Sequence, residues 1–300
     1  MSDRYETAAL VALLRRGGRI WHLVSDEVEE RGSALAVMEG RGEDVRGAQG
    51  LTLFPLEVGQ QPAEDLDAIV AEVAAWEAEG IRVVSVLDED YPQNLRTIHN
   101  RPPLLFIRGS LIPEDERSIA VVGTRQVSPE GLRQATAMAH DLSAHGYTIV
   151  SGLAQGVDTA AHRAALDAGR RTVAVIGTGL RRAYPTANAE LQKRVAEEGA
   201  VVSQFWPDAP PRRQSFPMRN IVMSGIALAT VVIEASHTSG ARMQARIALE
   251  HGRPVFLMRS LLVHEWARVY ADRPGTHVVD SASEVAEQVE RLTSLDALSA

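Results

Sequence analysis

The chain is predicted to fold as an α/β protein in which a parallel sheet is covered by helices and preceded by a small helical domain. Three observations predict it. From Ser118 onward short apolar runs alternate with segments of helical period. Those runs are continuous and β-branched rather than alternating, which marks strands buried on both faces. The first 80 or so residues, by contrast, show helical spacing only.

In order along the chain, Thr7 to Arg16, Ser25 to Met38 and Ala63 to Glu79 read as amphipathic helices, the last stopped by Gly80. Ile81 to Leu87 is a strand candidate, and Leu104 to Ile107 is a short apolar run behind Pro102-Pro103. A boundary near residues 80 to 87 therefore divides a helical domain, 1–85, from a main domain, 86–300. Ile119 to Val122 is the first strand of the main domain. Ser128-Pro129 then sets an N-cap with proline at the first helical position, and that helix closes at Gly146. Thr148 to Val150 follows, then a helix from Thr159 to Ala168 with Asp158 expected as its cap. Thr172 to Ile176, a helix from about Ala187 to Glu198, Val201-Val202, a helix from Asn220 to Ile226, Ala229 to Glu234, a helix from Gly240 to His251, and Val255 to Met258 continue the rhythm. His277 to Val279 and the capping box Ser281-Ala282-Ser283-Glu284 open the last helix.

Composition excludes several chemistries. With no cysteine among 300 residues there are no disulfides, thiolate nucleophiles, iron–sulfur clusters or cysteine-containing zinc sites. Lys193 is the only lysine, so no phosphate loop of the Gly-x-x-x-x-Gly-Lys-Ser/Thr kind exists, and Walker-type ATPase chemistry is out. The nine histidines form no His-x-x-x-His or His-Glu-x-x-His pair, so no metal site is expected. The start lacks a basic-then-apolar signal, and no apolar run approaches the roughly 20 residues a membrane span needs, so a cytoplasmic protein is expected. The net charge is −8, yet Arg101 to Asn220 carries 15 basic against 11 acidic residues while the remainder carries 16 against 28. The middle of the chain is the place for an anionic ligand.

In an open parallel sheet, ligands gather beyond the carboxyl ends of the strands. Those ends here read Gly123-Thr124-Arg125, Ser151-Gly152-Leu153-Ala154-Gln155-Gly156, Gly177-Thr178-Gly179 and Ser236-His237-Thr238-Ser239-Gly240. Glycine lets an anion approach backbone amides, Ser and Thr add hydroxyls, and Arg125 supplies a guanidinium fork that matches phosphate. The alternative is that the glycines only permit tight turns. Four such loops together favour phosphate binding. A dinucleotide fingerprint is missing, since no strand is followed by Gly-x-Gly-x-x-Gly, and no bound cofactor is expected. Between Pro207 and Asn220, Arg212, Arg213 and Arg219 flank Phe216 on a proline-stiffened loop, and Arg181-Arg182 with Tyr184 repeat the pairing of cation and ring. Guanidinium against phosphate with a ring against a base is how single strands are held without sequence readout. No catalytic group stands out: Asp158 reads as a cap, Glu234 as a capping or ribose-orienting acid, and His237 has no nucleophile beside it.

These motifs, in this order, resemble the DprA/Smf family of bacterial DNA-processing proteins. Val121-Val122-Gly123-Thr124-Arg125 is similar to that family's Val-Gly-Ser-Arg element, and Ser151 to His162 is similar to its longest signature. Tyr184-Pro185, Phe216-Pro217-Met218-Arg219-Asn220, Glu234-Ala235 with Ser239-Gly240, and Gly252-Arg253-Pro254-Val255-Phe256 follow in the family's order, as do Asp90-Tyr91-Pro92 and Pro102 to Gly109 upstream. The likeness covers about residues 5 to 290.

The resemblance implies an extended Rossmann-like domain behind a small helical one. It implies a non-enzymatic homodimer that binds single-stranded DNA and delivers it to the RecA recombinase during natural transformation. Carried over by position, Gly123, Thr124, Arg125, Ser151, Gly152, Arg219, Asn220, Ser239 and Gly240 line the phosphate site. Gly156 joins them from its strand-end loop, and Arg181, Arg182 and Phe216 from loop chemistry. The chain departs from the pattern at Ile221, where the family has arginine, and at Gln204, Gln244 and Met258-Arg259-Ser260. Losing the cation at 221 removes phosphate neutralisation. Two other classes compete with this reading. A phosphoribohydrolase-like nucleotide enzyme would show Pro-Gly-Gly-x-Gly-Thr-x-x-Glu where Ser236 to Ala241 stands, and a paralogue reused in phage defence would tolerate the altered residues.

Overall fold

The computed structural model describes residues 4–17, 20–39, 65–237 and 239–299. The chain divides into two compact units, Met1–Tyr91 with His99–Phe106, and Pro92–Ile98 with Ile107–Ala300.

The first unit holds helices α1 (Arg4–Arg15), α2 (Trp21–Arg31), α3 (Ala34–Glu39) and α4 (Leu66–Ala78), then strand β1 (Arg82–Ser85). Helix α1 is so completely apolar on its packed side that Thr7 to Leu14 are all buried. The expected single helix from Ser25 to Met38 is instead two. Gly32 takes φ +66 at the end of α2, a left-handed conformation that ends a helix and that glycine adopts at little cost. Glu6 then holds the start of α3, accepting from the Ser33 hydroxyl at 2.6 Å and the Leu35 amide at 3.2 Å. Helix α4 starts at Leu66 with Asp65 as its cap and ends before Gly80, φ +76; residues 63 and 64 of the expected helix lie outside the described residues.

The second unit begins with α5 (Gln93–Arg96), takes in the last residues of β2 (Leu104–Gly109), and continues as β3 (Ser118–Val122), α6 (Pro129–Ala144), β4 (Thr148–Ser151), α7 (Val157–Asp167), β5 (Thr172–Val175), α8 (Ala189–Glu198), β6 (Ala200–Ser203), α9 (Ser215–Ile226), β7 (Ala229–Val232), α10 (Gly240–Glu250), β8 (Val255–Met258), α11 (Glu265–Ala271), β9 (Thr276–Val279) and α12 (Ala282–Ser299). Strands β6 to β3 and β7 to β9 lie in the order β6-β5-β4-β3-β7-β8-β9 and pair in parallel throughout, for example Ile119 beside Ala229 and Ser118 beside Thr148. All residues of β3 to β8 are buried, as continuous β-branched runs require of a sheet sandwiched between helices. The chain leaves β3 toward β4 on one side and returns through β7 on the other, so the order of the strands reverses at β3. That reversal opens the loops after β3 and β7 into a crevice.

Two further segments depart from what their sequence predicts. Helix α7 starts at Val157 behind Gly156, φ +79, and Asp158 does not cap it. The Asp158 carboxylate reaches back to accept from the Gly152 and Ala154 amides at 3.1 and 3.3 Å. The stretch before Asn220 is not a loop to its end, because α9 already begins at Ser215 and carries Phe216, Arg219 and Asn220 in its first turns. Ser128 does cap α6, accepting from the Gly131 amide at 3.0 Å. The Ser281 hydroxyl likewise accepts from the Glu284 amide at 3.3 Å at the start of α12.

Candidate functional site

The strand-end residues fall into three clusters, and the elements that carry them explain why. At the crevice, Gly123 ends β3 so close to α7 that a Cβ would stand 2.4 Å from Val157 Cγ2, and a Cβ on Gly156 would stand 2.3 Å from the Thr124 carbonyl. The Thr124 amide donates to the Glu234 carbonyl at 2.7 Å. The Glu234 carboxylate itself takes up the N-terminus of α6, accepting from the Ser128 amide at 3.2 Å and the Ser128 hydroxyl at 2.6 Å. The start of α6, where a dipole would attract an anion, is thus already held by a carboxylate of the chain. This is the capping alternative for Glu234, not the ribose one.

The second cluster is buried. Ser151 ends β4 and donates its hydroxyl to the Val121 carbonyl at 2.7 Å. Arg219 lies beneath Gly152 so tightly that a Cβ there would fall 1.3 Å from the guanidinium, which donates to the Val175 carbonyl at 2.9 Å. Arg219 and Asn220 are each only 6% exposed. Burial pushes the Asp158 carboxyl up, against the pull of Arg219. Burial, then the same cation, push His162 down to about 3. Burial lowers Arg219 too, with Asp158 opposing and Arg125 adding to it. His162 is therefore a buried neutral imidazole, its Nδ1 2.7 Å from Thr172 Oγ1.

The third cluster is open. The exposed Arg125 places its guanidinium 5.3 Å from the centre of the Phe216 ring, and the Tyr184 ring meets the Phe216 ring with centres 5.6 Å apart. Phe216 packs over Gly177, where a Cβ would meet it at 2.9 Å. Tyr184 is 43% exposed, and Arg212 and Arg213 are exposed on the approach to α9. A guanidinium over one ring that meets a second, exposed ring, with two further exposed arginines a few residues earlier in the chain, presents both a phosphate partner and stacking faces.

Apart from Gly177 beneath Phe216, the remaining candidates do not join these clusters. Gly177, Thr178 and Gly179 are covered by the following loop, the Gly179 amide donating to the Ala209 carbonyl at 2.9 Å. Arg181 pairs with Asp208 at 2.5 Å, and Arg182 donates to the Asp208 carbonyl at 2.8 Å. Ser239 caps α10, accepting from the Ala241 amide at 3.2 Å, and Gly240 has open space where a side chain would be. Thr238 lies outside the described residues. Among the described residues no group of acidic residues or histidines could hold a metal, and no helix is long and apolar enough to cross a membrane. Sequence reasoning did not assign the anchoring of the Gly152 and Ala154 amides by Asp158. An aspartate two residues past the last glycine of that strand-end loop was the available signal.

The fold is thus a parallel, Rossmann-like sheet whose strand ends carry exposed arginine and aromatic side chains. The chain belongs to the DNA recombination-mediator protein A family, whose model matches residues 82–293. It is 41% identical over 172 residues to the DNA processing protein DprA of Streptococcus pneumoniae, a match covering 57% of this chain and 61% of that one. It is 31% identical over 220 residues to the Bacillus subtilis protein of the same name, covering 72% and 74%. With the crystal structure of the pneumococcal protein it shares a TM-score of 0.71 at 28% identity, over 94% of this chain and 96% of that one. A Helicobacter pylori DNA processing protein A, whose structure describes a single-stranded DNA binding mode, shares the fold at TM-score 0.61 and 24% identity over 70% and 96%.

Proposed function

We propose that this chain binds single-stranded DNA without reading its sequence and hands it to the RecA recombinase in DNA processing and natural transformation. The observation that carries the reading is the Arg125–Phe216–Tyr184 cluster, with Arg212 and Arg213 beside it on the strand-end rim. Rings offer stacking faces to any base, and guanidinium groups neutralise phosphates of any sequence. Membership in a DNA recombination-mediator family supports the same substrate.

In this reading Arg125 and Phe216 touch the strand, with Gly123, Thr124 and Gly156 giving close backbone approach and Ser239 and Gly240 flanking them. Ser151, Gly152, Arg219 and Asn220 form the floor that holds the rim in place. The domain from 86 to 300 carries the DNA and the domain 1–85 accompanies it. The protein acts in the cytoplasm as a homodimer, without catalysing a reaction of its own. The test is a salt titration of labelled oligonucleotides, single-stranded against duplex, with AMP and NAD as competitors. Binding that falls steeply with salt and resists duplex competitor is expected. Salt-insensitive binding, or displacement by AMP at comparable concentration, would overturn the reading.

A further inference from the structure

A second cationic hollow lies beside the rim, and the proposed function makes no use of it. It has a volume of about 400 Å³ and is lined by Arg108, Arg181, Arg182 and Lys193, with Glu197 the only acid among its walls. Its construction follows from local sequence. Gly109, φ +84, lets the end of β2 press onto the turn between α8 and β6. A Cβ there would stand 2.4 Å from the carbonyls of Ala196 and Gly199, and the Ser110 amide donates to the Gly199 carbonyl at 3.0 Å. That contact fixes Arg108, the residue before it, at the hollow. Ala189, Gln192, Lys193, Ala196 and Glu197 recur at spacings of three and four on α8, one helical face, and its two alanines leave the volume open.

The charges are unbalanced in a protein that is otherwise acidic, with net charge −8. Among the described residues Arg108 makes one hydrogen bond, to the Leu180 carbonyl at 3.4 Å, and neither it nor Arg182 is paired with a carboxylate. Lys193, the only lysine of the chain, has Glu197 at 3.9 Å, with both side chains more than 60% exposed. A guanidinium offers five donors, so most of those of Arg108 have no partner among the described residues. The segment that lines the hollow, Leu180 to Ala183, runs directly into Tyr184 of the open cluster. Arg182 and Tyr184 are two residues apart, within about 7 Å along the chain.

We infer that this hollow is a second phosphate-binding station, in which Arg108 and Lys193 hold the backbone of the strand where it continues past the aromatic rim. The assignment rests on the proposed single-strand binding and extends its footprint. Phosphate is the shared chemistry of a DNA backbone and a free phosphate compound, and the experiment separates the two. Oligonucleotides from about 4 to about 16 nucleotides are titrated against wild type, against the double variant Arg108→Gln with Lys193→Glu, and against Lys193→Glu alone in case the change on β2 impairs folding. Thermal melting reports the fold. Wild type is expected to gain affinity with length. The double variant is expected to plateau at shorter oligonucleotides and to bind the longest about tenfold or more weakly. Its salt slope should be smaller by about 1.4, the share of two phosphates on a single strand. A folded variant indistinguishable from wild type at every length would overturn the station alone, whereas wild type that binds no oligonucleotide would overturn the rim reading with it. Calorimetry with pyrophosphate is the remaining arm. Loss of pyrophosphate binding in the variant with long-oligonucleotide binding intact would sink the strand assignment in favour of a free phosphate compound.

Discussion

The loop after β4 and the rim around Arg125 are both built on glycines at strand ends, yet one is closed upon the protein and the other is open. After β4 the Gly152 and Ala154 amides are held by Asp158, and the space that glycine leaves is filled by Arg219. Around Arg125, the space left by Gly177 is filled by Phe216, whose ring is then shared with an exposed guanidinium and an exposed tyrosine. A glycine therefore marks a close approach without saying who approaches. In the closed loop the neighbour is a buried cation that organises the floor. In the open one it is a ring that offers its free surface to solvent.

Removing the floor and removing the rim should consequently have opposite signatures. The largest effect is expected from Arg219→Ala. It leaves the buried Asp158 without its cation and empties the space beneath Gly152, which should cost about 3–5 kcal/mol of stability by urea denaturation. If stability is unchanged, Arg219 does not organise the floor. Next comes Arg125→Ala, which should weaken single-strand binding by about 1.5–3 kcal/mol while leaving the urea midpoint within error, because the side chain is exposed. Tyr184→Ala should cost about 1–3 kcal/mol of binding through lost stacking, again with the fold intact. A binding loss accompanied by equal destabilisation in either variant would erase the distinction between floor and rim.

The closed cluster also carries a pH signature. His162 is held near about 3 in the folded protein against 6.5 when unfolded. A depressed folded value means that its contribution is complete above 6.5 and is lost as pH falls from 6.5 toward about 3, with a slope of up to about 1.4 kcal/mol per unit. Asp158 acts in the opposite sense, since its raised value favours folding at low pH and the gain disappears as pH climbs above its ordinary 3.8. The two slopes oppose each other below pH 6.5, so His162→Gln should remove the loss of stability that acidification places on the buried imidazole and tilt the profile toward the Asp158 sense. An unchanged pH profile in the variant would place the acid sensitivity elsewhere. The smallest change is expected from Ile221→Arg, on the turn of α9 just past the floor, which restores a cation and should steepen the salt slope by about 0.7.

Much of the architecture was legible in advance because it depends on local chemistry. Continuous β-branched runs, Ser128-Pro129 and the glycine stops define where strands and helices begin and end, and the parallel sheet follows from them. The break at Gly32 was legible in principle but overruled by the apolar period on either side of it, and the first turns of α9 were hidden by Pro217, which reads as a loop signal yet is tolerated in the first turn of a helix. The kinds of residue that make the rim, arginines with aromatic rings between them, were visible as composition.

Composition cannot assign partners, however, because the groups that meet at the site are far apart in the chain. Arg125 meets Phe216 across 91 positions, and Glu234 reaches Ser128 across 106. Whether an arginine faces solvent or lies buried beneath a glycine depends on which strands are neighbours in the sheet and how near the helices pass over them. So the residues by themselves determined that strand ends rich in glycine, hydroxyl and guanidinium would exist. Only the packing of β3, β4, β5 and α9 against one another decided that Arg219 becomes floor and Arg125 becomes rim, since burial and close approach are properties of the assembled sheet rather than of any segment of it.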